Sequence, residues 1–381
     1  MAKYFFIAGE ASGDIHAAAL IQQLKQYDAE ASFVGLGGDQ MAASGCTLYR
    51  HIRHMAFMGF AAVIRHWKDV KTNFRIAREA LLKEQPHVLV LIDYPSFNLR
   101  MAAFCRKHLP STRIVYYIPP KVWAWKRRRI HQIARLCDEV LGIFPFEPAF
   151  YAQYGYQCTY VGNPTLERIS SLTTHDQPTG TKKLSIALLP GSRPSEITNC
   201  LPRMLQAAQQ FPKYDLVVCA APGIKDDFYT PYLHSTQATL TRDTYHAVQN
   251  ASAAIVNSGT ATLETALLGR PQVAVYHLAC SPLIGLIRWA QPLFFSIKHF
   301  TLVNIIANKE VIREYVANDF TVAHVTEELQ RLLNDAPYKK EMLASYEHLF
   351  SVLGSQSASA TAAERIIAIL PVKPEYTAVH R

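Results

Sequence analysis

An aspartate closes a strongly apolar run: Leu91-Ile92-Asp93-Tyr94-Pro95-Ser96-Phe97-Asn98 continues Val88-Leu89-Val90. A carboxylate at the carboxyl end of such a strand points away from the core. Asp93 is therefore a candidate general base for a hydroxyl proton, the plainer alternative being an Asp that caps the next turn. Leu189-Pro190-Gly191-Ser192-Arg193 stands between a predicted strand and helix. Gly191 permits a tight turn, Ser192 can cap a helix from Pro194, and free N–H groups there favour an anion. Arg193 adds planar donors that suit phosphate. A second such turn, Asn257-Ser258-Gly259-Thr260-Ala261-Thr262-Leu263-Glu264, offers small and hydroxylated residues (Ser258, Gly259, Thr260, Thr262) to an approaching ligand. Glu264 falls in the first helical turns, where its carboxylate can accept hydrogen bonds from a ribose diol. Each turn alone also reads as an ordinary capped helix start. Together they suggest a diphosphate and a ribose, hence a nucleotide sugar.

Three further stretches bear on a second substrate or a surface. Gly9-Glu10-Ala11-Ser12-Gly13-Asp14 crowds two carboxylates into a tight βα turn. Lys121-Val122-Trp123-Ala124-Trp125-Lys126-Arg127-Arg128-Arg129 mixes aromatic with basic residues. It reads as a solvated basic helix start, as a groove for a phosphorylated acceptor, or as a nucleic-acid contact, the last without any recognition motif. Ala56–Ile64 is uncharged and mostly apolar, and Val63, Trp67, Val70, Phe74, Ala77 and Leu81 then recur on one helical face with Arg65, Lys68, Lys71, Arg75 and Arg78 largely elsewhere. The stripe suits a sheet-covering helix; Phe57, Met58 and Phe60 before it suit a membrane surface. Chemistry alone does not single out Asn304, which follows an apolar aromatic stretch.

These residues need elements to carry them. Short apolar runs alternate with amphipathic stretches, the pattern of parallel α/β sheets. Strands are expected at Lys3–Ala8, Ser32–Leu36, Pro86–Ile92, Arg113–Ile118, Glu139–Ile143 and Tyr160–Gly162. A polar stretch, residues 170–183, reads as a linker. Strands then resume at Leu184–Leu189, Asp215–Ala220, Ala253–Val256 and Gln272–Tyr276, with Gly269 placed to end the helix from Thr260. Two doubly wound halves, 1–165 and 166–355, are expected to face each other across a cleft. A helical tail, 356–381, packs on the first half or on a partner chain.

Composition excludes several classes. There is no GxGxxG, no P-loop, no GxSxG, no HExxH and no Asp-x-Asp pair for a metal–diphosphate complex. Seven cysteines without a CxxC suit buried thiols in a reducing compartment. The N-terminal apolar run is too short for a signal peptide, and residues 281–297 are broken by Arg288 and two prolines, so no transmembrane helix is expected. Residues 1–165 carry 20 Lys/Arg against 12 Asp/Glu, while residues 166–381 carry 19 against 18. The basic first half should therefore meet something anionic.

The ordered series GEASGD, LGGDQM, IDYPSFN, VWAWK, FEPAFY, LPGSR and SGTATLE resembles that of the bacterial lipid A disaccharide synthase family, over nearly the whole chain. The resemblance implies a GT-B fold of two Rossmann-like domains: an acceptor and membrane-side domain, then a UDP-sugar domain. It implies transfer of 2,3-diacylglucosamine from its UDP derivative to 2,3-diacylglucosamine 1-phosphate, with inversion, no metal and no cofactor. The location implied is the cytoplasmic face of the bacterial inner membrane, with the chain bound peripherally. No nucleic acid is involved; a homodimer is left open. By the same resemblance Asp93 is the base, Arg193 the diphosphate ligand and Glu264 the ribose ligand. Asn304 matches an important asparagine. Ser192 and the turn Ser258, Gly259, Thr260 and Thr262 surround the UDP. From the residues themselves Glu10, Ser12, Asp14, Asn98 and Trp123 are candidate acceptor contacts, and the resemblance places the membrane-contacting surface at the segment with Phe57, Met58 and Phe60. The chain departs from the family at Tyr94-Pro95-Ser96, Gly162-Asn163-Pro164 and Val303.

Overall fold

Val88–Ile92 is buried at every position, as a strand covered on both faces must be. The computed structural model describes residues 1–55, 67–124, 127–173, 184–234, 236–257, 259–277 and 298–370. There this segment is the central strand of a seven-stranded parallel sheet. In chain order the strands are β1 (Lys3–Ala8), β2 (Ser32–Gly37), β3 (Thr47–His51), β4 (Val88–Ile92), β5 (Arg113–Tyr117), β6 (Glu139–Gly142) and β7 (Thr159–Tyr160). In space the order is β3-β2-β1-β4-β5-β6-β7. A second parallel sheet joins β8 (Ser185–Leu189), β9 (Asp215–Cys219), β10 (Thr239–Thr241), β11 (Ala253–Asn257), β12 (Gln272–Tyr276) and β13 (Glu314–Val316) in the order β10-β9-β8-β11-β12-β13. In both sheets the order in which successive strands are added reverses between the first and fourth strands, the switch point at which such folds hold ligands. Ala8 pairs with Ile92 there in one sheet, and Leu189 with Val256 in the other.

The helices of the first sheet are α1 (Ala11–Tyr27), α2 (Asp39–Ala43), α3 (described over Trp67–Glu84), α4 (Pro95–His108), α5 (Arg129–Leu136) and α6 (Glu147–Ala152). Those of the second are α7 (Pro164–Thr173), α8 (Pro194–Ala208), α9 (Thr230–Leu233), α10 (Thr244–Asn250), α11 (Thr260–Leu267), α12 (Leu302–Ala307), α13 (Val322–Asn334) and α14 (Ala336–Leu353). The last helix, α15 (Ala358–Ala368), returns to the first sheet. Met1–Pro164 with the chain from Gln356 onward forms one compact unit, and Thr165–Ser355 another.

Packing accounts for these assignments. On α3, Ala77 and Leu81 are buried and Phe74 stacks on Phe97 at 4.4 Å, while Lys68, Lys71, Arg75 and Arg78 are exposed. The described part of the stripe is therefore core. Phe57, Met58 and Phe60 lie outside the described residues. On α15, Ala362, Ala363 and Ile366 are buried in the first unit's core beside Leu20 and Leu24 of α1. Burying one such isoleucine side chain stabilises by about 1.5–3 kcal/mol. Arg365 adds two hydrogen bonds to Glu139 Oε1, at 3.1 and 2.9 Å.

Three edge strands, β3, β10 and β13, escape an apolar-run reading because none is fully buried. Of the polar stretch expected as a linker, residues 170–173 close helix α7 instead; residues 174–183 lie outside the described set. The six described cysteines are all free thiols. No described helix is long and apolar enough to cross a membrane.

Candidate functional site

Strand β4 ends at Ile92 and the chain turns at once. Asp93 and Tyr94 have φ of 43° and 45°. That left-handed conformation costs an L-residue about 1–3 kcal/mol and persists only where the surroundings over-determine it. Asn98, fully buried on α4, donates from Nδ2 to the carbonyl oxygens of Ile92 (3.1 Å) and Asp93 (2.7 Å). Tyr116 Oη on β5 donates to the same Asp93 oxygen at 2.8 Å, and the Asp93 N–H donates to Ile118 O at 3.2 Å. Tyr94 Oη donates to Met55 O at 2.9 Å. The Tyr94 ring lies over Gly9, where a Cβ would come within 2.3 Å of a ring carbon, so only glycine lets these two turns approach. The half-buried Asp93 carboxyl is pushed up by burial and drawn back by the Lys121 ammonium and the Tyr94 N–H.

A second carboxyl follows the next strand but one. Glu147, 1% exposed, opens α6 after β6. Its Oε2 accepts from the N–H groups of Ile143 (2.8 Å) and Phe144 (3.0 Å), and its Oε1 from Trp123 Nε1 (3.2 Å). Burial pushes this carboxyl up to about 7, against those hydrogen bonds and the Lys121 charge. Asp93, Lys121 and Glu147 thus follow the carboxyl ends of adjacent strands β4, β5 and β6.

Several expected acceptor contacts turn out to build this region. Asp14 is buried; its carboxylate accepts from the N–H groups of Gly38 (2.7 Å), Gln40 (3.0 Å) and Met41 (3.1 Å) and caps α2. Trp123, 6% exposed, lies edge-on to Phe144 and Phe146 and holds Glu147. Asn98 pins the Asp93 turn. Glu10, the N-cap residue of α1, and Ser12, exposed, remain at the β1 turn near Tyr94.

In the second unit, the β8 turn hinges on Gly191 at φ 119°, where a Cβ would lie 2.5 Å from Asn257 Nδ2 and 2.6 Å from Glu196 Oε2. Asn257 Nδ2 donates to Pro190 O at 3.1 Å and ties the ends of β11 and β8 together. Arg193 is the N-cap residue of α8, with a side chain 52% exposed. Glu196 reaches back: Oε2 accepts from the N–H groups of Ser192 (2.9 Å) and Arg193 (3.3 Å), and Oε1 accepts from Arg193 Nη1 (3.2 Å). The groups suited to a phosphate are therefore engaged by the chain's own carboxylate.

At the β11 turn, Gly259 (φ 147°) and Thr260 are exposed, and Ser258 lies outside the described residues. Thr262 is buried, its hydroxyl donating to Gly259 O at 2.9 Å, so it shapes the turn. The half-buried Glu264 carboxyl is pushed up by burial and drawn back by Arg168 and a hydrogen bond from Tyr245. Asn304 is fully buried on α12. Its Nδ2 donates to Ile312 O (2.8 Å) and Glu314 Oε1 (2.9 Å), and its Oδ1 accepts from the N–H groups of Val311 (2.8 Å) and Ile312 (3.0 Å). With every donor and acceptor engaged, this amide orders the loop between α12 and β13 rather than facing a ligand. Among the described residues no cluster of three or more His, Cys, Asp or Glu could hold a metal.

Some participants were missed from sequence. Glu196 follows the helix start by the spacing of a capping box, a readable signal. Glu147 lies in an aromatic stretch, the mark of a buried carboxyl with partners. Lys121 was lost within its basic run. Arg168 and Tyr245 carry no local signal.

Two parallel sheets, each with its polar turns at the switch point, define the GT-B class of glycosyltransferases and UDP-sugar epimerases. Solved structures agree on the fold. A glycosyltransferase of kitacinnamycin superposes with a TM-score of 0.64 at 13% identity, covering 97% of this chain and 99% of that one. UDP-GlcNAc 2-epimerase from Neisseria meningitidis, bound to UDP-GlcNAc, does so at 0.65 and 10%, covering 96% and 100%. Within that class, residues 4–369 match the lipid-A-disaccharide synthetase family, and the chain belongs to it. The lipid-A-disaccharide synthase of Trichlorobacter lovleyi is 34% identical over 380 residues, covering 97% of each chain. The chain is a glycosyltransferase of lipid A biosynthesis.

Proposed function

We propose that the chain transfers 2,3-diacylglucosamine from its UDP derivative to the 6-hydroxyl of 2,3-diacylglucosamine 1-phosphate, with Asp93 as the general base. The acceptor oxygen forms a bond to the donor's anomeric carbon while the bond from that carbon to the diphosphate breaks. The hydroxyl proton goes to Asp93, UDP leaves, and attack opposite the leaving group inverts the configuration. The observation that carries this reading is the Asp93 turn. It is a left-handed aspartate at a switch point, fixed through its backbone by Asn98, Tyr116 and Ile118. Such pinning leaves the side chain to face substrate, and partial burial raises the basicity of the carboxylate while the Lys121 cation limits that rise.

On the second unit, Arg193 and the amides of Ser192 and Arg193 take the diphosphate, and Glu264 takes the ribose. Charge developing on the leaving UDP is met by preorganised donors. Glu196 already occupies those donors, so donor binding exchanges one anion for another. Glu10 and Ser12 border the acceptor; Asp14, Asn98, Trp123, Thr262 and Asn304 act through the parts they position. The acyl chains of both substrates and the basic first half favour peripheral binding to an anionic membrane face, where each basic residue contributes about 1 kcal/mol. Replacing Phe57, Met58 and Phe60 with serine should lower vesicle association, and unchanged association rejects that contact.

The test of the reaction is release of UDP from the diacylated donor, with and without the acceptor phosphate, by wild type and Asp93→Ala. Acceptor-dependent release that collapses in the folded variant supports both reaction and base. Release that persists in the variant rejects Asp93; no release by a folded, UDP-binding wild type rejects the substrate pair.

A further inference from the structure

We propose that Arg129, with Ser96, holds the 1-phosphate of the acceptor beside the Asp93 turn and so makes the first unit select a phosphorylated acceptor. This rests on the reading of Asp93 as the base for an acceptor 6-hydroxyl.

Charge points to the region. Between Asp93 and Asp138 the chain has ten lysines and arginines and no aspartate or glutamate. The rest of residues 1–165 carries ten basic residues against twelve acidic ones, so the positive excess of that half comes wholly from this stretch. It comprises α4, β5 and α5, which follow the base turn along the chain. Arg106 and Arg113 are paired with Asp138, at 2.8 and 3.4 Å. Arg127 and Arg128 are exposed just before α5. Clustered charge of one sign raises the local concentration of an anionic ligand but does not orient it.

Orientation comes from one contact. Arg129, the first residue of α5, donates from Nη2 to Ser96 Oγ at 3.2 Å. That bond joins the end of the basic run to the first turn of α4. Ser96 is exposed and stands three residues after Asp93, so their Cα atoms lie within about 11 Å of each other. In a glucosamine 1-phosphate, C1 and the C5 that bears the 6-carbon both flank the ring oxygen. The phosphate is therefore only a few bonds from the reacting hydroxyl, and a base at one calls for a cation near the other. A guanidinium carries five donors in a planar fork matched to phosphate, and the Ser96 bond uses one. The Ser96 hydroxyl accepts from Arg129 and can donate its own hydrogen to the same phosphate.

The experiment compares two acceptors, 2,3-diacylglucosamine 1-phosphate and the same sugar without its phosphate, by steady-state UDP release from the full chain. Wild type should prefer the phosphate. Arg129→Met should cut the ratio of the two kcat/KM values about ten- to a hundredfold, the scale of a charged hydrogen bond, through KM of the phosphorylated acceptor. Arg129→Lys should recover part of the ratio, because it restores the charge without the fork; it also carries the test should the methionine variant not fold. Ser96→Ala should cut the ratio about three- to tenfold. An equal loss on both acceptors in the Arg129 variants overturns the proposal, since a mere tie between α4 and α5 cannot tell the two sugars apart. An unchanged ratio overturns it as well. A wild type that uses both acceptors equally removes the phosphate site while leaving the base in place. Failure of the underlying reading looks different: wild type then releases no UDP in response to either sugar, and the phosphate site falls with it.

Discussion

The two switch points solve opposite problems. In the first unit the β4 turn is over-pinned: two consecutive left-handed residues, three hydrogen bonds on the Asp93 backbone, and a carboxyl pushed up by burial. In the second unit the β8 turn hinges on a glycine, leaves Arg193 half exposed, and satisfies its helix N-terminus with the Glu196 carboxylate. A general base needs a fixed direction and a poor solvent, because both raise its basicity at the right place. A diphosphate receptor needs open donors that a carboxylate can hold in the meantime. On the proposed roles, the difference between the turns is a difference between chemistry and capture.

The largest effects should break that comparison cleanly in two. Asp93→Asn should lower kcat about 10²–10⁴-fold with UDP affinity unchanged. Arg193→Ala should weaken UDP about ten- to a hundredfold, the scale of a charged hydrogen bond, with the fold retained. Steady-state kinetics beside UDP titration reads both. If either variant moves both quantities equally, the division between base and receptor is wrong.

Next comes the carboxyl behind the first switch point. The folded Glu147 carboxyl is raised from 4.5 to about 7, so in that window the native state binds more protons than the unfolded state. Stability contributed by this group is therefore full at low pH and lost as pH rises through about 7. At about 1.4 kcal/mol per unit the loss is about 3 kcal/mol at most. Denaturant midpoints at pH 5 and pH 8 should fall in wild type and stay level in Glu147→Gln on this account. A slope unchanged in the variant places the titration elsewhere.

The central strands and their polar ends, with Asp93 placed just past β4, were legible because a fully apolar run closed by an acid marks a buried strand and its end. Direction was not legible. Nothing local to Asp93-Tyr94 shows that both residues adopt positive φ, since Asn98 and Tyr116 impose it from a helix turn and a neighbouring strand. For the same reason Asp14 and Trp123, read as substrate contacts, prove to hold backbone amides and a buried carboxyl. A polar residue beside a strand end looks alike in sequence whether it faces a ligand or a neighbouring loop. Asn304, singled out only by resemblance, has its amide fully engaged within its own loop.

Asn98 tests the pinning half of the comparison. Asn98→Ala takes the donors from two buried carbonyls, a loss of about 1–3 kcal/mol in stability. It should lower kcat as the turn relaxes while UDP binding holds. An unchanged kcat in a destabilised variant shows that the strained turn serves folding alone.

The smallest expected effect is the most discriminating for the second switch point. Glu196→Ala removes a helix-capping partner and should destabilise by about 1 kcal/mol. It also frees the Ser192 and Arg193 amides and releases one partner of the Arg193 guanidinium. If Glu196 keeps the place of the diphosphate, UDP should bind about three- to tenfold more tightly to this less stable protein. Opposite signs in stability and affinity are the signature, because a residue that merely shapes the turn loses both together. Weaker UDP binding in Glu196→Ala makes the carboxylate part of the receptor. Unchanged binding, with Arg193→Ala also silent, moves the diphosphate away from the β8 turn altogether.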